Sequence, residues 1–380
     1  MRRVVILGST GSIGVQALDV CRRHPDLFDV VGLAVGQSVQ ALVAQAKEFK
    51  PERVCVVSDA PLSPDDLPSS VALSRGPEAL ACLGVECGAD LVLNAVVGAA
   101  GLPASLAALE TGSVLALANK ESIVAGGPVL LRALASGGGR IVPVDSEHAA
   151  SAQLLRGEDP EEIARLVLTA SGGPFRGRSR AELAHVTREE ALQHPTWKMG
   201  AKITIDSATL FNKGLEIIEA HYLFDLEMDR IGVVVHPQSI VHAILEMCDG
   251  SAKAQVGLAD MRQPIGWALA SPERLHDPIG AVRWADLPPL VFEPPDLDAF
   301  PALGLAFAAG KDGGTATAVL NAANEVAVHA YLNGCGVFLD IPRIVEEVLS
   351  RHDVMEPRDL DDVLHADAWA RTTAQGLLGD

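Results

Sequence analysis

The sequence predicts an α/β protein: an N-terminal doubly wound parallel sheet, a central α+β region and a C-terminal helical bundle. Three observations predict it. Short β-rich runs alternate with helical stretches over residues 1–145, three apolar runs crowd together between residues 231 and 258, and long Ala-rich helical stretches follow residue 301. In the first part, strands are expected at Val4–Leu7, Val30–Val35, Val54–Val57, Leu91–Val97, Val114–Ala118 and Ile141–Val144. Helices are expected between them at Val15–Arg23, Val39–Lys47, Leu102–Leu109 and Ile123–Ala135. Strand, crossover helix, strand is the signature of a parallel sheet with helices on its faces. Pro143 has no amide hydrogen and fits only near the end of its strand or at an edge.

From residue 146 the rhythm changes. Leu166–Ala170 and Ile203–Ile205 read as strands and Ala208–His221 as a helix, followed by strands at Ile231–His236, Val241–Met247 and Ala252–Leu258. These spacings leave no room for crossover helices, so the second sheet is expected to be antiparallel or mixed. Leu287–Pro301 carries five prolines and reads as a linker. Ala316–Leu332, Ile341–Leu349 and Asp361–Thr372 read as helices of a small bundle.

At 380 residues, with 48% hydrophobic and 21% charged residues, the chain is globular and long enough for two or three cores. A formal charge of −19 argues against nucleic acid and against an anionic membrane surface. An anionic small substrate would need a local cationic pocket. No apolar run reaches the ~18 residues of a membrane span. The first strand is expected within the first few residues, so no leader peptide is expected before it. The six cysteines form no CxxC pair and read as reduced structural thiols, which places the protein in the cytoplasm.

Gly8-Ser9-Thr10-Gly11-Ser12-Ile13-Gly14 follows a strand and opens a helix, a GxxGxxG variant of the dinucleotide fingerprint in a Rossmann-like setting. Glycines let the backbone approach a pyrophosphate, and the helix start offers unpaired N–H groups. Gly36-Gln37-Ser38, after the second strand, offers no acid for a ribose 2′-hydroxyl. That disfavours NAD, although no cation is present there for a 2′-phosphate either. Asp145-Ser146-Glu147 closes an apolar run with two acids, which on an extended backbone project to one face. Paired hard oxygens suit Mg²⁺ or Mn²⁺.

Lys120, within Asn119-Lys120-Glu121, falls at the carboxyl edge of the sheet, where ligands bind. Ser171-Gly172-Gly173 offers a hydroxyl and exposed amides suited to a phosphate. Asp206–Glu216 gathers Ser207, Asn212, Lys213 and Glu216 around one loop-to-helix passage, where Glu216 adds a third carboxylate. Gln193–Gly200 mixes His194, Trp197 and Met199 with Pro and Gly, a composition that suits a mobile lid.

Taken together, Gly8–Gly14, Leu117–Ser122, Pro143–His148, Ser171–Phe175, His194–Gly200, Asp206–Ala220, His236–Ser239 and Leu320–Glu325 resemble the 1-deoxy-D-xylulose 5-phosphate reductoisomerases, from the first strand to about residue 370. The resemblance implies an enzyme that uses NADPH and a divalent metal, Mg²⁺ or Mn²⁺ with Co²⁺ also admissible, on a small phosphorylated sugar. It implies Asp145, Glu147 and Glu216 as metal ligands. Lys120, Ser146, Ser171, His194, Ser207, Asn212 and Lys213 would hold the substrate beside Glu147, with Trp197 and Met199 closing over it. Thr10, Gly11, Ser12, Ile13, Gly36, Asn119 and Glu121 would contact the cofactor. Gln37 and Ser38 stand where the family commonly has Lys or Arg then Asn, so they fall at the same cofactor site. Residues 1–145 would bind NADPH, 146–285 would carry catalysis and dimerisation, 286–301 would link, and 302–380 would form the helical domain. A homodimer through the central sheet is implied as well. The resemblance also separates the chain from short-chain epimerases and reductases, which need Tyr-x-x-x-Lys, because neither Tyr222 nor Tyr331 has Lys four residues on.

Overall fold

The structure, a computed structural model, describes residues 1–197, 199–276 and 279–378. Lys198, inside the Gln193–Gly200 stretch, lies outside the described residues. The chain begins β1 (Arg2–Leu7), α1 (Ser12–Arg23), β2 (Phe28–Val35), α2 (Val39–Phe49), β3 (Arg53–Val56), β4 (Ala72–Arg75), α3 (Gly76–Glu86), β5 (Leu91–Asn94) and α4 (Leu102–Glu110). It continues β6 (Val114–Leu117), α5 (Lys120–Gly137), β7 (Arg140–Pro143), α6 (Ser146–Leu155), β8 (Ile163–Ala170), α7 (Arg180–Leu183), α8 (Arg188–Ala191), α9 (Ala201–Thr209) and α10 (Phe211–Phe224). It ends β9 (Ile231–Val235), β10 (Val241–Met247), β11 (Ala252–Val256), α11 (Arg262–Ala270), α12 (Ala302–Asp312), α13 (Ala316–Leu332), α14 (Asp340–Ser350) and α15 (Leu360–Leu378).

Two compact units result. The first comprises Met1–Ile123, Val129–Ala149 and Asp260–Ile279. Its sheet has seven strands in the order β4-β3-β2-β1-β5-β6-β7, all paired in parallel. Val4, Ile6, Leu33, Leu91 and Leu93 are fully buried, as expected for central strands covered on both faces. β7 is an edge strand and Pro143 its last residue, so the missing amide costs no ladder bond there. Strand order reverses between β1 and β5, and at such a switch point the carboxyl ends of the strands leave a crevice for ligands. α11 belongs here: Ile265, Ala268 and Leu269 join the core of Val4 and Ile6. Arg2 donates to Leu269 O at 2.5 Å and Arg140 to Ser271 O at 2.9 Å, placing cations at the negative end of that helix.

The second unit comprises Val124–Pro128, Ala150–Ala259 and Gly280–Asp380. Its sheet, in the order β11-β10-β8-β9, is mixed: β8 and β9 run parallel and the other pairs antiparallel. α9, α10 and α12–α15 share a core that includes Phe175, Phe211, Leu215, Ile218, Leu303, Leu320 and Ile344. Within the proline-rich stretch, Glu293 exchanges backbone hydrogen bonds with Val235, and Phe292 stacks on His236 at 4.6 Å between centroids.

Two expectations fail locally. Ile203–Ile205 is not a strand but the middle of α9, where burial and the Lys202–Asp206 pair one turn apart favour the helix over β-branched propensity. The helix expected from Ala208 is broken at Leu210, which adopts a left-handed conformation (φ 63°) and separates α9 from α10. Among the described residues no helix is long and apolar enough to cross a membrane.

Candidate active site

The glycine loop is shaped by steric necessity. Gly8 has φ +81°, and a Cβ there would lie 2.5 Å from Ala95 O. A Cβ on Gly14 would lie 2.3 Å from Gly8 O. Gly11 caps α1 without any side-chain hydrogen bond, so backbone amides of the first turn keep their capacity for an anion. Thr10, Ser12 and Ile13 occupy this rim, half-buried, exposed and half-buried in turn. The residues fit a dinucleotide pyrophosphate. Ser9 was not singled out in the sequence, yet it is fully buried and clamps the loop. Its Oγ donates to Gln45 Oε1 at 2.7 Å, while Gln45 Nε2 donates to Ser9 O at 2.9 Å. Gly36, Gln37 and Ser38 are exposed between β2 and α2.

At the ends of β6 and β7, Asn119 caps α5, with Oδ1 accepting from Ser122 N at 3.1 Å. Its Nδ2 donates to Val96 O at 2.6 Å, Gly98 O at 2.9 Å and the buried Glu121 at 3.1 Å. The Asn119 amide therefore secures the loop after β5, a contact between residues more than twenty positions apart that no local pattern signals. Lys120 is 6% exposed and its Nζ lies 2.5 Å from Asp145 Oδ2, so it is no solvated cap residue.

The acidic triplet corrects one premise. Asp145 and Glu147 do not lie on extended backbone, because β7 has ended at Pro143 and α6 starts at Ser146. Asp145 occupies the N-cap: its carbonyl accepts from Ala149 N at 2.8 Å and its Oδ1 from Ser146 N at 3.0 Å. Glu147 lies in the first turn and accepts from the Ser146 hydroxyl. Carboxylates at a helix N-terminus are stabilised by its dipole. Half-buried acids of this kind suit a hard cation.

In the second unit, Gly172 and Gly173 take φ +84° and +66° after β8. A Cβ on Gly173 would meet Ser207 O at 2.7 Å, so the turn packs directly on α9. Ser171 Oγ lies 2.9 Å from His194 Nε2 and accepts from Gly173 N at 3.2 Å. His194 Nδ1 accepts from the amides of Thr196 (3.1 Å) and Trp197 (2.9 Å). Nδ1 therefore carries no proton, and Nε2–H is the donor to Ser171. Burial lowers the His194 pKa, which favours the same neutral form. Trp197 and Met199 are half-buried.

Across the Leu210 break, α10 opens with Asn212 and Lys213. Lys213 is 3% exposed, Glu216 is 1% exposed, and the two form an ion pair. Asn212 Nδ2 donates to Glu216 Oε1 at 2.5 Å. At this burial the pair is not one of the solvated surface ion pairs that contribute little. Asp206, Lys202 and Asn324 form a further buried polar group beside Ser207. Only its place inside a dense motif could have drawn attention to Asp206. Next to Ser171 a cavity of about 450 Å³ is lined by Pro174, Phe175, Arg176, Arg178 and Gln193 among others.

Residues 4–127 match the family described as 1-deoxy-D-xylulose 5-phosphate reductoisomerase. Residues 141–224 match its C-terminal domain, and residues 256–373 match a DXP reductoisomerase C-terminal domain. A 1-deoxy-D-xylulose 5-phosphate reductoisomerase of Chlorobium chlorochromatii is 50% identical over 383 residues, covering 100% of both chains. One from Desulfitobacterium hafniense is 48% identical over 383 residues, again with 100% coverage of both. The Zymomonas mobilis reductoisomerase, solved with NADPH, superposes with a TM-score of 0.91 at 42% identity, covering 99% of each chain. A DOX-P reductoisomerase solved with NADPH, fosmidomycin and magnesium gives a TM-score of 0.91 at 37% identity, covering 100% of this chain and 98% of its own.

Proposed function

The chain belongs to the 1-deoxy-D-xylulose 5-phosphate reductoisomerase family, and from that premise we propose how its residues divide the work. The reaction is the NADPH- and divalent-metal-dependent isomerisation and reduction of 1-deoxy-D-xylulose 5-phosphate to 2-C-methyl-D-erythritol 4-phosphate, in the non-mevalonate isoprenoid pathway.

Asp145, Glu147 and Glu216 are the proposed metal ligands. When bound, the cation supplies Lewis acidity for the carbon rearrangement, and NADPH supplies hydride. Thr10, Gly11, Ser12, Ile13, Gly36, Gln37, Ser38, Asn119 and Glu121 form the proposed cofactor surface. Ser171, Ser207, Asn212 and Lys213 receive the substrate phosphate, and Lys120 and Ser146 its carbon chain. Ser171 Oγ already accepts from Gly173 N and His194 Nε2, so its own proton is aimed outward as a donor to a phosphate oxygen. Buried Lys213 supplies the local positive charge that an anionic substrate needs against a net charge of −19. His194, Trp197 and Met199 form the lid that excludes water.

The observation that carries this reading is the buried Lys213–Glu216 pair with half-buried Asn212 donating to it, because a desolvated charge group on one turn serves chemistry better than stability. Sequence segments 1–145, 146–285, 286–301 and 302–380 are proposed as cofactor, catalytic, linking and helical regions. A homodimer through the second sheet is proposed, favoured by the exposed edge strand β11. The free, buried thiols of Cys21, Cys55 and Cys87 support a reducing, cytoplasmic setting. The test is NADPH oxidation on adding 1-deoxy-D-xylulose 5-phosphate with Mg²⁺. Oxidation that stops on adding chelator is expected, whereas continued oxidation would refute the metal assignment.

A further inference from the structure

α9 begins just past the 193–200 stretch and carries Ser207 near its end. Its buried face holds a polar chain. Lys202 Nζ lies 2.9 Å from Asp206 Oδ2, and Asn324 of α13 donates through Nδ2 to Asp206 Oδ1 at 2.8 Å. Lys202, Asp206 and Asn324 are 9%, 1% and 0% exposed. Burying such a pair carries a desolvation cost, and apolar residues of similar volume would join two helices at least as strongly. An apolar contact, however, lets a helix rotate, whereas a directional hydrogen bond to one carboxylate oxygen fixes its angle. Side-chain tips lie roughly 5 Å from a helix axis. A rotation of about 12° would therefore swing the Ser207 hydroxyl by about 1 Å, a displacement that can cost roughly a hundredfold in rate. α13 is itself held: Glu325, one residue on, accepts from Arg371 of α15 at 2.7 Å.

We propose that Asp206, held by Asn324, is a positioning residue: through it the C-terminal helices set the angle of α9 and aim Ser207 at the substrate phosphate. This rests on Ser207 being a phosphate contact. The test is steady-state kinetics on the full chain for Asn324→Ala, Ser207→Ala and the apolar triple Lys202→Met/Asp206→Leu/Asn324→Leu, with thermal unfolding of each. The expected result is a rise in substrate KM of about tenfold for Asn324→Ala, with NADPH KM unchanged, since one lost charge-assisted hydrogen bond is worth about that factor. A loss of folded protein alone would lower kcat and leave substrate KM unmoved. The triple is expected to unfold no earlier than the parent and to show the same KM defect. Parent-like KM in Asn324→Ala alongside an impaired Ser207→Ala would overturn the positioning inference. An unimpaired Ser207→Ala would instead overturn the phosphate reading beneath it. If the triple fails to fold, Asn324→Ala alone decides, because it leaves the ion pair intact.

Discussion

Replacing Gly14 by Ala adds one carbon to a helix start and should disable cofactor binding. The new Cβ would lie 2.3 Å from Gly8 O, 2.5 Å from Ser9 Cα and 2.6 Å from Ser9 C. All three are backbone atoms, so no side chain can turn aside. Relief needs a movement of about 1 Å to restore ordinary contact. The loop cannot supply it easily, because Gly8 N and Ser9 N both donate to Ala34 O at 2.9 Å and Ser9 is clamped by Gln45. The start of α1 must shift instead, carrying the Ser12 and Ile13 amides off the position proposed for the pyrophosphate. One charge-assisted hydrogen bond is worth about 1.5–3 kcal/mol, so NADPH affinity should fall roughly ten- to a hundredfold. Overpacking should also lower stability by about 1–3 kcal/mol. Fluorescence titration with NADPH and thermal unfolding would measure both. Gly304→Ala is the control, since a Cβ there meets nothing within 4 Å and the position is exposed in the first turn of α12. Parent-like NADPH affinity in Gly14→Ala would refute the assignment of this loop to the cofactor.

Three further outcomes are expected. Glu216→Gln should lower turnover more than about a hundredfold, on the scale of losing a preorganised electrostatic contact, and unaffected turnover across an Mg²⁺ titration would remove Glu216 from the metal set. His194 has its pKa lowered by burial from 6.5, so the unfolded chain takes up its proton first as pH falls. Stability from this group is therefore whole above pH 6.5 and is lost as pH drops toward the depressed value. Substrate KM should rise over the same window as protonation of Nδ1 breaks its bonds from Thr196 and Trp197, and His194→Gln should abolish that limb of the pH profile. Gln37→Arg should raise the preference for NADPH over NADH about tenfold by adding a guanidinium at the 2′-phosphate, and an unchanged ratio of kcat/KM values would place that phosphate elsewhere.

The parallel sheet was legible because strands buried on both faces show as unbroken apolar runs, and Pro143 marked the edge. β4 was not legible: Ala-Leu-Ser-Arg offers a single large apolar side chain, and its membership depends on pairing with β3. Ile203-Thr204-Ile205 misled because β-branched propensity is weaker than the packing of a buried helix. The acids Asp145 and Glu147 stood out, but the cap that turns the chain between them did not. Ser9 and Asn324 stayed hidden for one physical reason. Their partners, Gln45 and Asp206, lie 36 and 118 residues away in sequence, beyond the reach of any local pattern.

The return of residues 260–279 to the first unit makes the order of synthesis matter. The ribosome releases β1 through β7 early, yet Ile265, Ala268 and Leu269, which complete their core, emerge only after the whole second sheet. The nascent sheet must wait with the apolar surface meant for α11 uncovered. A fragment ending near residue 150 would keep that surface bare for good, so a soluble cofactor-binding piece would need 260–279 spliced back to it.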